Sequence, residues 1–488
     1  MASRSDRFVA VAAFVAATAL SAALWWIGSG VAPLWWAPWL APLPVLVYAM
    51  RTTGAAAFAA ALLAWAIGGL NVWTYLDVVQ APVPVKLLAT LGPATIFALA
   101  TLLARAFAQR GRVGLAALSV PLVAVSADYA NYLTSVHGTF FNLAYTQMDA
   151  LTIIQLAAVF GAWGVGFVVM LLPSALAALS APQGTRGARV RLAALSLAAF
   201  AGVIAYGTWR LQTAAAGNIA TARVGLLSLQ GETRVDPDSA AGKALLQRYV
   251  EAIGRLADAG ATIAVIPEAA FVSSTPRIAE LDDVARERHM IVLTGAAYTG
   301  DAAGERNASL IFGSGAPSPL TYFKHHLLPP FESRATPGDG YTTFDHGARI
   351  GTAVCKDMDF PPMGFAYADR DTNLLLVPAW DFNVDGWLHS RMAILRGVES
   401  GFALARAARN GALTLSDDRG RVIGETSSIH ITDAASLVGD LPLRATKTLY
   451  ARWGDWFAWT CATALVLCIG VLAFARKRRS AAAGIRSW

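Results

Sequence analysis

The chain has 488 residues, 56% of them hydrophobic and only 15% charged, with a formal net charge of +7 and three cysteines. Soluble proteins carry charge on about a quarter of their residues, so a wholly water-exposed protein is excluded and lipid must cover much of this surface. The positive balance does not point to nucleic acid, because the arginines stand at the ends of apolar runs, where membrane topology accounts for them.

Seven apolar runs come first, at 8–27, 33–50, 54–76, 86–108, 113–131, 151–179 and 190–212, and an eighth covers 456–475. Most approach the roughly 20 residues that a helix needs to cross a bilayer. The first, behind Arg4 and Arg7, has the form of a signal peptide, but the runs that follow make it a retained anchor. With the N-terminus in the cytoplasm, alternation leaves Arg4, Arg7, Arg51, Arg105, Arg110, Arg112, Arg186, Arg189, Arg191 and the tail Arg476-Lys477-Arg478-Arg479 inside. The opposite loops, 28–32, 77–85 and 132–150, hold no Lys or Arg. This is the asymmetry of the positive-inside rule, and it sends the polar region to the outer face. The expected organisation is a seven-span domain over 1–212, an extracytoplasmic domain over 213–455, and a last span with a basic cytoplasmic tail over 456–488. Asp77, Asp128 and His137 fall at span ends or in outer loops, where solvation explains them better than a transport path. The tryptophan pairs at 25–26 and 35–36 and Trp453, Trp456 and Trp459 read as interfacial belts.

From about residue 220 short apolar runs alternate with helical periodicity. Strands are expected at 223–229, 262–266, 290–297, 308–312, 320–324, 350–354, 374–378, 403–407 and 412–415, and helices at 239–259, 276–288 and 386–400. Interleaved strands and helices make this an α/β layered domain. Three reactive groups close strands. Thr262 to Pro267 leads into Glu268, Leu320 to Phe323 into Lys324, and Arg349 to Val354 into Cys355. The crevice beyond strand ends is the usual reaction site of such sheets. A carboxylate there can take a thiol proton, and an ammonium can lower a thiol pKa and stabilise an oxyanion. Cys355 is the only cysteine of the polar region, while Cys461 and Cys468 lie in the last apolar run and suit packing.

Pro267-Glu268 closing a strand, Lys324 before Leu327-Leu328-Pro329 with Glu332 eight residues on, and Cys355 closing a later strand resemble the nitrilase, or carbon-nitrogen hydrolase, superfamily. Its Glu-Lys-Cys triad occurs in this order. With seven spans before and one after, the chain resembles the membrane branch of that superfamily, the apolipoprotein N-acyltransferases. The resemblance implies an eight-span helical bundle joined to an αββα sandwich. It also implies Glu268 as general base, Cys355 as nucleophile, Lys324 at the tetrahedral intermediate, and Glu332 in electrostatic support. Arg396 and Glu399, with Arg406 and Asn410-Gly411, would build the site wall. The branch commonly places an aromatic residue and Glu after the cysteine. Lys356 and Asp357 stand there instead, a second cation expected to favour thiolate and a shorter acid. The aromatic loops at 271–275, 360–367 and 380–387 suit either a lipid-facing lid over Cys355 or core packing, and Phe360 and Trp380 are the substrate-binding candidates among them.

The expected reaction is acyl transfer at a bacterial inner membrane. A phospholipid ester acylates Cys355, and the α-amino group of a diacylglyceryl-cysteine lipoprotein then takes the chain. No cofactor or metal is called for, and His325 and His326, adjacent in an expected strand, would point to opposite faces. A membrane-tethered amidase using water, and an acyltransferase for another outer-face amine or hydroxyl, are the rival readings.

Overall fold

The computed structural model describes residues 4–213, 219–444 and 446–484, with side chains as far as 474. Helix α1 (Arg4–Gly28) is followed by α2 (Leu43–Ala49), α3 (Gly54–Gly68), α4 (Trp73–Val78), α5 (Val83–Ala108), α6 (Val113–Thr134), α7 (Leu151–Ile154), α8 (Ala157–Leu179) and α9 (Arg186–Thr213). Seven helical spans among the described residues are long and apolar enough to cross a membrane, rather than eight. They are α1, α3 with α4, α5, α6, α8, α9 and a C-terminal helix.

The expected span 33–50 is not one helix. Pro38, Pro42 and Pro44 divide it into a single tight turn at Ala37–Trp39 and the short α2, because proline lacks the amide donor and obstructs the preceding turn. The stretch nevertheless descends antiparallel to α1. Ser21 donates to the Ala41 carbonyl, and further along Phe14 packs edge-on against Tyr48. The expected run 151–179 is also divided, at Gly161. Its φ of +66° suits glycine, and a Cβ there would stand 2.4 Å from the Tyr450 ring. Arg51 bonds the carbonyl of Ser180, Arg105 that of Thr52 and Arg189 that of Ala181, so these arginines gather at the C-terminal end of α8. The side chains of Arg476 to Arg479 lie outside those described.

The polar region forms two packed sheets. Strands β1 (Thr221–Leu229), β2 (Ile263–Val265), β3 (Phe271–Ser273), β4 (Ile291–Tyr298), β5 (Arg306–Phe312) and β6 (Leu320–Phe323) build the first. Strands β7 (Thr343–Asp345), β8 (Arg349–Thr352), β9 (Leu374–Trp380), β10 (Ala403–Arg409), β11 (Ala412–Ser416) and β12 (Val422–Ser427) build the second. The last strand, β13 (Ala434–Pro442), returns to pair antiparallel with β1. The orders are β13-β1-β2-β4-β5-β6, with β3 beside β4, and β12-β11-β10-β9-β8-β7. Side chains alternate across each sheet. Leu374 and Leu376 enter the core between the sheets, while Leu375 and Val377 face the other way. Helices α10 (Ala240–Asp258) and α11 (Ala279–Glu287) cover the outer face of the first sheet. Helices α12 (Pro361–Ala368) and α13 (Gly386–Ser400) cover the second. This is the four-layer α/β/β/α arrangement that the resemblance implies.

The α12–α13 layer does not face solvent. Met363, Leu388, Met392 and Ile394 share one buried cluster with Tyr145, Met148, Ile154 and Val165 of the bundle. The sandwich is therefore seated on the N-terminal end of α8, opposite the gathered arginines. Helices α14 (Leu449–Trp453) and α15 (Trp456–Gly484) lead the chain back into the bundle.

Candidate active site

The three strand ends meet. After β8 the backbone turns so sharply that Cys355 adopts φ of +44°, and a tight helical turn over Cys355–Asp359 follows. A left-handed, non-glycine residue costs about 1–3 kcal/mol and persists only where its surroundings impose it. The bend presents Sγ, half-buried, 3.6 Å from the Trp380 carbonyl at the end of β9.

Glu268 follows β2 and Lys324 follows β6 on the neighbouring sheet. Lys324 Nζ lies 2.8 Å from Glu268 Oε1 and 2.8 Å from Glu332 Oε2. Asn307, near the start of β5, donates to both carboxylates, at 2.6 Å to Glu268. The Leu328 amide donates to Glu332 at 2.7 Å, fixing the loop that carries this second acid. Sequence reasoning missed Asn307. The available signal was a carboxamide at the mouth of an otherwise apolar strand.

Burial pushes the Glu268 carboxyl above its ordinary range and the charge of Glu332 adds to this, against the pull of Lys324 and Asn307. Burial opposes the Lys324 charge, but Glu268 and Glu332 outweigh it and hold the ammonium protonated. Cys355 differs from expectation. Desolvation, and then the anion of Glu268, push its thiol well up, and Lys324 and Arg406 only partly compensate. The resting group is a thiol, so the base must take its proton as the sulfur attacks.

Asp357 is fully buried and holds the elbow to the lysine loop. Its Oδ2 accepts from Tyr322 at 2.7 Å and from the Val354 amide at 2.9 Å. Its Oδ1 accepts from the amides of His325 and His326 at 3.1 and 2.9 Å. Burial would raise this acid, but hydrogen bonds led by His326 hold it below the usual carboxylate range. Both histidines stand past the end of β6, in a loop rather than the expected strand. His326 stacks on Phe360 with ring centres 3.7 Å apart, so Phe360 braces this loop.

Lys356 is not the second cation beside the thiol. Its ammonium lies 3.2 Å from Asp359 and 3.3 Å from His137 of the α6–α7 connection, tying the elbow to the bundle. Arg396 and Glu399 also fall elsewhere. Both are buried and paired with each other; Arg396 reaches Tyr145 at 2.9 Å, and Glu399 accepts from the Ala162 amide at 2.7 Å beside the kink of α8. They join α13 to the bundle and do not wall the site. Among the expected lid residues, Phe271 and Tyr367 are core. Trp380 is partly exposed with Arg409 over its ring, and Phe382 packs on the exposed Phe331 at 5.1 Å. Asp77 pairs with Lys86, and Asp128 accepts from Asn142.

Next to Trp380, Arg406 grips Asp381 through two bonds of 2.9 and 2.5 Å, and Gly411 leaves room for that carboxylate. Asp381, Asp385 and His389 have ligand atoms within 4.8 Å of one another, the one metal-like grouping among the described residues. Arg406 on Asp381 already supplies a cation there.

Two family models match the chain, the apolipoprotein N-acyltransferase N-terminal domain over residues 8–175 and carbon-nitrogen hydrolase over residues 228–452. The apolipoprotein N-acyltransferase of Geobacter metallireducens is 27% identical over 400 residues, 74% of each chain. That of Haemophilus ducreyi is 24% identical across 86% of this chain and 88% of its own. Among solved structures, an amidase from Nesterenkonia sp. AN1 aligns with 49% of this chain and 97% of its own, at 21% identity and a TM-score of 0.39.

Proposed function

This chain belongs to the apolipoprotein N-acyltransferase family, the membrane branch of the carbon-nitrogen hydrolases, and from that premise we propose a two-step acyl transfer at the outer face of the membrane. Glu268 takes the Cys355 proton as sulfur attacks an ester carbonyl of a membrane phospholipid. The oxyanion collapses beside the Lys324 ammonium. The C–O bond breaks, Glu268 returns the proton to the leaving alkoxide, and a lysophospholipid departs from an acyl thioester. The α-amino group of a diacylglyceryl-cysteine lipoprotein then attacks the thioester. Glu268 removes one amine proton, and the thiol is restored as the amide forms.

The observation that carries this reading is a single thiol, beside the buried Glu268–Lys324 pair, on a domain seated at the arginine-poor end of the bundle. That end faces outward under the positive-inside rule. Confinement at the bilayer raises the effective concentration of both lipid substrates, and closure against water favours the amine as acceptor. Asp357 acts through the two loops it ties, while Glu332 and Asn307 fix the charge and position of Lys324 and Glu268.

The test incubates the purified protein with phosphatidylethanolamine and a diacylated lipopeptide and reads the peptide mass. One added acyl chain is expected, absent with Cys355→Ala and retained with Cys461→Ala. Release of free fatty acid with no gain in peptide mass would replace transfer by hydrolysis.

A further inference from the structure

At the arginine-rich end of the bundle, away from the sandwich, a cleft of about 510 Å³ opens between α6, α8 and α9. Leu115 and Leu118 of α6, Leu171 of α8 and Leu192 and Leu195 of α9 make its walls apolar. The lining runs along α9 from Arg191 to Ala199, about 12 Å of helix axis. The cleft exists because α9 stands off its neighbours there. Its buried residues are Val203, Gly207 and Arg210, all in its second half. Lipid tails are as apolar as leucine, so in a bilayer such a gap takes a hydrocarbon chain.

Two charged residues line the same cleft, Arg112 just before α6 and Arg191 in the second turn of α9, and both are exposed. At this end of the bundle Arg51, Arg105, Arg110 and Arg189 place guanidinium nitrogens on backbone carbonyls. The Arg112 guanidinium has no partner among the described residues, and Arg191 uses only its Nε, on the Gly187 carbonyl at 3.3 Å. No carboxylate in the lining opposes an anion. Asp77, Asp128 and Asp149 belong to the other end, Asp6 on α1 is outside the cleft, and no Asp or Glu follows Asp455 in the chain. There is also room, since a Cβ on Gly114 would meet nothing within 4 Å. A phosphodiester accepts from two guanidinium groups at once. An ammonium on the same headgroup would meet two like charges and no acceptor acid, so a headgroup of net negative charge fits best.

We propose that this cleft binds one anionic phospholipid from the leaflet at the arginine-rich end. One acyl chain lies between α6, α8 and α9, and the phosphodiester sits on Arg112 and Arg191. The sandwich and its thiol are at the opposite end of the bundle, so this lipid is a bound partner of the membrane domain and not the acyl donor. The chain's own tail is excluded as occupant, because Arg476, Lys477, Arg478 and Arg479 carry the charge of the two arginines.

The test offers the purified full chain equal amounts of phosphatidylglycerol and phosphatidylcholine with the same acyl chains and counts the retained lipids by native mass spectrometry. Both lipids compete for the same molecules, so their ratio cancels any misfolded fraction. The wild-type protein is expected to keep the anionic lipid in about tenfold excess, and Arg112→Gln and Arg191→Gln each to lower that excess about fivefold. Gly114→Leu should lower retention of both lipids by filling the cleft. Arg186→Gln, an exposed arginine of the same end outside the cleft, should leave the ratio within about twofold. No excess in the wild type, an excess that survives in the double variant, or one that Arg186→Gln lowers equally, overturns the site. A dimer that Gly114→Leu dissociates would give the cleft to a second copy and overturn it as well.

Discussion

Lys324 with Glu268 and Arg396 with Glu399 are both ion pairs almost free of water, set at the ends of elements in one domain, but they adjoin different things. The first borders a thiol at a strained elbow. The second is sealed between α13 and the kinked α8, where burial pushes Glu399 up to about 7 despite Arg396. Polar groups at a domain junction cost desolvation and return it only with good geometry. Burial and charge pairing thus fail to distinguish a reaction centre from a seam between domains, and the neighbouring group decides.

The largest expected effect belongs to the sulfur. Cys355→Ala should lower transfer at least about 10³-fold with the fold retained, measured by lipopeptide mass and a melting curve. Paired truncations come next. Lys324→Met and Arg396→Met each strand a buried carboxylate, and each should cost about 3–5 kcal/mol in denaturant unfolding. Per folded molecule, Lys324→Met should also lose roughly 10²-fold in rate. Arg396→Met should stay within about tenfold. A normal melting curve with lost turnover in Arg396→Met would break the comparison.

Asp357→Asn keeps the shape but weakens the clasp between Cys355 and the Lys324 loop. Thioester formation should fall about 10- to 100-fold, as expected when a reacting group shifts by about an ångström. The pH profile sharpens the role of Glu268. Its pKa is raised, and only the ionised form accepts the thiol proton. Thioester formation should therefore fall about tenfold per unit as pH drops below that pKa, which lies above the ordinary carboxylate range. Glu268→Gln should remove this limb. The smallest effect is expected for Lys356→Met. Its ammonium faces Asp359 and His137, so the pH dependence of Cys355 alkylation should move by no more than about 0.3 unit.

Much of the architecture was legible because it rests on periodicity. Helix α13 runs over Gly386–Ser400, where apolar residues recur at helical spacing, and β4, β9, β10 and β11 form where apolar runs stand. Short or polar edge strands were not legible. β3, β7, β12 and β13 owe their pairing to neighbours distant in sequence, and β12 is largely exposed. The broken stretch at 33–50 was apolar enough for a span, and its prolines carried the contrary signal. At the candidate site, Glu268, Lys324 and Cys355 were visible as reactive groups closing strands. The orientation of Lys356 was not, because His137 lies 219 residues away in sequence. Arg396 and Glu399 have the composition of site residues, and only the fold turns them toward Tyr145 and Ala162. His389 packs on Phe140 solely because the sandwich docks on the bundle.

The most direct test supplies the protein with phosphatidylethanolamine in the absence of any acceptor and maps the acyl group by peptide mass. Acyl transfer through the sulfur predicts one chain on Cys355 as a hydroxylamine-labile thioester, discharged as an amide when the diacylated lipopeptide is added. Acylation of the lipopeptide with no chain ever found on Cys355, or with the chain on another residue, would contradict it.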